Sequence, residues 1–187
     1  MVNEYLTKTD IITWIENWAK NNPNPTEADI ATFAKNLNNK MLKLDYKVTN
    51  GGTVIGYAGK LDDGGTGIFK TVENLTKNSN EAYCFINNAA DNILNDDKFN
   101  IALNEAVGPK SAGYILGGAW NGNNRSKYSF GDTLSLNDLV SDNFMKNNAK
   151  GNVYLLIADN ARMDSTLNVT EIERLLTMDE VKTINGI

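Results

Sequence analysis

Apolar residues recur at helical spacing through the first quarter of the chain. Between residues 9 and 20, Ile11, Trp14, Ile15 and Trp18 share one face behind Thr9 or Asp10 as cap, which predicts an amphipathic helix with both indoles in the core. Pro23 and Pro25 end it. Thr26 and Asp29 then form a capping-box pattern ahead of Ile30, Phe33, Leu37 and Met41, so a second helix runs to about Leu44. At Asn50-Gly51-Gly52 the pattern changes. Residues 53–57 have the β-branched and aromatic content of a short buried strand. After a glycine loop at 62–67, helical spacing returns from 69 to about 107, broken near 78–80, with Phe85, Ala89, Ile93 and Leu94 as its stripe; two more helices are expected. Glycine and asparagine crowd residues 113–124 around Trp120, a loop with at most a short helical turn. Ser135 caps the next helix, in which Leu136, Leu139, Val140, Phe144 and Met145 face inward, and Gly151 stops it.

Residues 153–158 form a continuous apolar run between turns, as a strand buried on both faces of a parallel sheet does, and 181–184 read as a final strand. Strands separated by helical segments need crossover connections. The expected fold is therefore α/β and two-lobed, a helical lobe against a small, about four-stranded parallel sheet with flanking helices. Residues 1–50 and 70–148 are expected to build the helical lobe, and 51–69 and 149–187 the sheet lobe, in one unit of 187 residues with a cleft between the lobes.

Composition narrows the chemistry. Hydrophobic residues at 41% and charged residues at 22% are ordinary for a globular chain. A net charge of −5, with 18 Lys and Arg spread along the sequence, offers no basic stripe, so no nucleic-acid partner is expected. No apolar run approaches the roughly 20 residues that span a bilayer, so no membrane partner is expected either. Residues 1–8 lack the order of a signal peptide. The expectation is synthesis in the cytoplasm, with export as an effector open to routes that use no cleaved signal. Cys84 is the only cysteine, which excludes an internal disulfide and reads as a small buried hydrophobe. Histidine is absent, which removes Ser-His-Asp, Cys-His and His-based metal sites together. Any chemistry must run on carboxylates, hydroxyls, aromatic faces and backbone dipoles, and no metal site is expected.

The informative stretch is Val140-Ser141-x-x-Phe144, then the apolar strand, then Ser165-Thr166-Leu167-x-x-x-Glu171. This order resembles the ADP-ribosyl cyclases, NAD glycohydrolases in which a Val-Ser-x-x-Phe helix leads into a core strand and a Ser-Thr-Phe-x-x-x-Glu segment. Upstream, Ile55-Gly56-Tyr57-Ala58-Gly59, Phe85-Ile86-Asn87-Asn88-Ala89 and Asp96-Asp97 fall in the order of that family's strand, helix start and acidic pair. The resemblance covers roughly residues 53–187. It implies NAD as substrate with no further cofactor, bound in a cleft between two lobes. It also implies cleavage of the nicotinamide–ribose bond to give nicotinamide with ADP-ribose, cyclic ADP-ribose or both. Glu171 would be the catalytic carboxylate beside the nicotinamide ribose. Ser141 and Thr166 would hold the ribose and phosphates, Tyr57 would stack on a ring, and Asn87, Asp96, Asn137, Ser165 and Leu167 would occupy further substrate positions. Asn137 replaces a family indole, for which Trp120 is the candidate substitute. Asn87 replaces a family carboxylate, so the ratio of hydrolysis to cyclisation does not carry over. The family's arginine is missing unless Lys60 serves.

Two other readings stand beside this one. Glu171-Ile172-Glu173 matches the Glu-x-Glu pair of mono-ADP-ribosyltransferases, and loss of family site residues fits a non-catalytic nucleotide-binding protein. The bland reading of Glu171 is an anion favouring a helix N-terminus, and Ser and Thr near element ends are commonly caps. An NAD-consuming protein without disulfides would harm a cytosol, so a toxin or effector with a neutralising immunity partner is the corresponding biological expectation.

Overall fold

The computed structural model describes residues 5–47, 53–59, 67–77, 79, 81–84, 93–117, 127–128, 135–161 and 167–186. Among them are seven α-helices and a four-stranded, all-parallel sheet, the α/β class expected. The chain divides into two compact units, one of Met1–Asp45 with Asn92–Val140 and one of Tyr46–Asp91 with Ser141–Ile187.

The first unit is helical. α1 (Lys8–Asn21) and α2 (Glu27–Met41) each begin with a full capping box, Thr7 with Asp10 and Thr26 with Asp29. The first cap therefore sits two residues ahead of Thr9, because Asp10 reaches back to Thr7. α4 (Asp97–Val107) packs on α1, and α5 (Pro109–Leu116) on α4. Ile11, Ile15, Phe33, Leu37, Phe99, Leu103 and Ile115 are fully buried. Trp14 and Trp18 are not core residues: they are half-buried and pack on Phe33, with ring centroids 5.1 and 4.6 Å away. α5 occupies part of the stretch read as loop. Pro109 pre-sets its first turn and Gly117, at φ 56°, ends it in the left-handed conformation.

Four carboxyls of this unit are held below their ordinary range. Hydrogen bonds from Thr7 and Thr26 do this for Asp10 and Asp29, Lys8 for Asp96, and Lys127 with Tyr128 for Glu27. A carboxyl whose folded pKa lies below its unfolded value of about 4 contributes stability above that value. The contribution is lost as pH falls through the folded value. The melting temperature is thus expected to fall between about pH 5 and pH 2, with a shallower fall in Asp96→Asn, followed by circular dichroism at stepped pH.

The second unit holds the sheet, in the order β2-β1-β3-β4: β1 (Thr53–Ala58), β2 (Ala82–Cys84), β3 (Gly151–Ile157) and β4 (Val181–Gly186). β2 lies inside the stretch whose spacing reads as helical. It is three residues long, and its apolar residues also fit a helical stripe. α3 (Ile68–Thr76) packs on β1 and β2, and buries Ile68 and Val72 with Cys84 against Ile55, Tyr57, Leu156 and Ala158. β3 is less buried than its apolar run suggests. Val153 and Leu155 are covered, Tyr154 and Leu156 are half-covered, and Ile157 is exposed. α6 (Leu136–Asn148), assigned to the first unit up to Val140 and to the second from Ser141, carries Leu136, Leu139, Val140, Phe144 and Met145 into buried positions, as its spacing predicts. Ser135 caps it, its Oγ accepting from Asp138 N at 3.3 Å and donating to Asp138 Oδ2 at 2.7 Å. Among the described residues no helix is long and apolar enough to cross a membrane.

Candidate functional site

Glu171 lies on a helix that opens with a π-helical turn, Leu167–Glu171, and continues as α7 (Ile172–Leu176). The turn packs on β1. π-Helical turns are uncommon and recur at functional sites, because the extra residue per turn re-aims side chains. Glu171 is 5% exposed, which is rare for a carboxylate. Burying an anion costs several kcal/mol unless polar groups meet it. Ser141, fully buried on α6, meets it by donating its hydroxyl to Glu171 Oε1. The next residue on α6, Asp142, binds Arg174 through both oxygens, accepting Nε at 2.6 Å and Nη2 at 2.9 Å. Two consecutive residues of α6 thus hold two residues one helical turn apart.

The other carboxylate oxygen lies over β1. A Cβ at Gly56 would stand 3.2 Å from Glu171 Oε2, 2.8 Å from Leu155 Cδ2 and 3.0 Å from Leu167 Cδ1. Gly56 gives the space that lets a carboxylate approach the strand backbone, the role an interior strand glycine commonly has. Gly56→Ala is expected to destabilise the protein by about 1–3 kcal/mol through overpacking and to push the carboxylate off β1. A urea titration reads the first effect, and a shift in the carboxyl ¹³C resonance of Glu171 reads the second.

Topology supplies an independent pointer. From β1 the chain passes to β2 on one side, and from β3 to β4 on the other, so the strand order reverses between the neighbours β1 and β3. In open parallel sheets, ligands bind outside the carboxyl ends of the strands at this reversal. The carboxyl ends there are Ala58 and Ile157, which pair with each other. Gly59 follows at φ 99°, a conformation that favours glycine, and its Cβ position would stand 2.9 Å from Asn160 Oδ1. Glu171 Oε2 lies by Gly56, two residues before the end of β1.

Not every residue singled out from the sequence joins this cluster. Ser141, Leu167 and Glu171 do, with Leu167 1% exposed beside Gly56. Tyr57 does not, because successive strand residues face opposite sides, and its ring packs in the α3 cluster while Gly56 faces Glu171. Asp96 is in the first unit, where it caps α4 by accepting Phe99 N at 3.1 Å and binds Lys8 Nζ at 2.6 Å. Asn137 lies on the first turn of α6, on the first unit's side of the division. Asn87, Trp120, Ser165, Thr166 and Lys60 lie outside the described residues. Glu173, the second residue of the Glu-x-Glu pair, is exposed where Glu171 is buried. Gly56, Asp142 and Arg174 are the members of the site that the sequence reading did not single out. Among the described residues, no group of three or more acidic or cysteine side chains is arranged to hold a metal ion. Comparison with protein-family models, curated proteins and solved structures finds no match to this chain.

Proposed function

We propose that the chain cleaves the nicotinamide–ribose bond of NAD, with Glu171 as the carboxylate that stabilises the transition state. The observation that carries the reading is a buried carboxylate held by a buried serine hydroxyl next to the strand-order reversal of a parallel sheet. The motif order around Ser141 and Glu171, which resembles that of the ADP-ribosyl cyclases, supplies the substrate class.

In the proposed reaction the C1′–N1 bond of the nicotinamide ribose breaks and its electron pair leaves with nicotinamide, which departs neutral. Positive charge develops on C1′ and the ring oxygen. One fixed anion at a site of low polarity stabilises that charge by several kcal/mol, without histidine or metal. Ser141 keeps the carboxylate oriented, so little reorganisation accompanies the charge development. Water then attacks C1′ and loses a proton to give ADP-ribose, or the adenine ring attacks in its place to give the cyclic product.

The test is incubation of the protein with NAD in ¹⁸O-labelled water, with products separated and weighed. Free nicotinamide is expected, with ADP-ribose carrying one ¹⁸O, an unlabelled cyclic product, or both. NAD recovered intact, or cleaved at the pyrophosphate, contradicts the reading.

A further inference from the structure

Glu171 sits where a helix changes from π to α geometry, so the rotation of that helix decides where its carboxylate points. On the strand side Glu171 Oε2 lies over Gly56, 3.2 Å from where a Cβ at that position would stand. On the other side, Arg174, one turn beyond Glu171, engages both oxygens of Asp142, the neighbour of Ser141. A guanidinium fork on a carboxylate fixes direction as well as distance, which a lysine ammonium does not. The Asp142 side chain is 16% exposed and that of Arg174 35%, so the pair is partly withdrawn from water. Surface ion pairs contribute little to stability, and the geometry of this one points to another role.

We propose that Asp142 and Arg174 are positioning residues for Glu171: their bidentate pair sets the rotation of the Leu167–Leu176 helix, and so holds the carboxylate between Ser141 and Gly56. The inference rests on the proposed function above for its activity readout and on geometry alone for its structural one. Displacing a reacting group by about 1 Å costs on the order of 100-fold in rate.

The test uses Arg174→Lys, Asp142→Asn, their combination, and the exchanged pair Asp142→Arg with Arg174→Asp, all in the full chain. Arg174→Lys keeps the charge and the alkyl stem and removes only the fork, so the chain is expected to melt within a few degrees of the parent. The kcat for nicotinamide release is expected to fall about 10- to 100-fold in each single variant, with KM within about threefold. The combined variant should be no slower than the worse single one, and the exchanged pair should recover at least a few-fold. Independent losses that multiply, or a raised KM at unchanged kcat, overturn the proposal. The second readout is the carboxyl ¹³C resonance of Glu171, assigned by its absence in Glu171→Gln. It should move in Arg174→Lys and in Asp142→Asn, whereas an unmoved resonance in folded variants overturns the proposal. A parent protein that releases no nicotinamide counts against the proposed function, and the resonance then decides the positioning role by itself.

Discussion

Phe144→Ala is expected to remove about 3–5 kcal/mol of folding free energy, the range for deleting a fully buried aromatic side chain. Phe144 has no exposed surface and lies one helical turn beyond Ser141, so the cavity would open directly behind the residue that holds Glu171. Against a total stability of about 5–15 kcal/mol, this leaves a chain that is marginal at body temperature. Urea denaturation checks it: the midpoint should drop sharply while the dependence on urea stays the same. A loss below about 1 kcal/mol would mean that α6 is not anchored by this side chain.

The largest functional effect is expected from Glu171→Gln, which keeps size and shape and removes the charge. Nicotinamide release should slow by about 100- to 1,000-fold, the cost of deleting one preorganised electrostatic partner of a transition state. The same change should leave the melting temperature unchanged or raise it, because a neutral amide is cheaper to bury than a carboxylate and can still accept from Ser141. Opposite effects on activity and stability separate a functional carboxylate from a structural one. A residue retained only to favour a helix start would show loss of stability with no effect on turnover.

The long periodic helices and the apolar strand were legible because their patterns span many residues. The capping box at Thr26 and the buried face of α6 follow from spacing of the kind that local physics enforces, whereas the first cap falls at Thr7 and not at Thr9 or Asp10. β2 was not legible: three residues, Ala82, Tyr83 and Cys84, carry too short a pattern to separate strand from helix. Which face of β1 holds the site was hidden for a different reason. Strands in the middle of a parallel sheet are apolar on both faces, so nothing in residues 53–58 says that Tyr57 faces α3 while Gly56 faces Glu171. Gly56 itself did leave a signal, since a glycine inside a strand marks a close approach. The Asp142–Arg174 pair left none, because ion pairs are readable along a helix only three or four residues apart and these two are separated by 32. The carboxylate of Glu171 and the hydroxyl of Ser141 were reached through motif order, and burial and geometry add what a motif cannot, namely that they touch.

The most direct measurement is the initial rate of nicotinamide release from NAD, followed by chromatography, for the parent protein and Glu171→Gln purified side by side. Steady release by the parent is expected, with a rate about 100- to 1,000-fold lower for the variant. Equal rates in the two proteins would remove Glu171 from the chemistry, and no release by the parent would contradict NAD cleavage as the function.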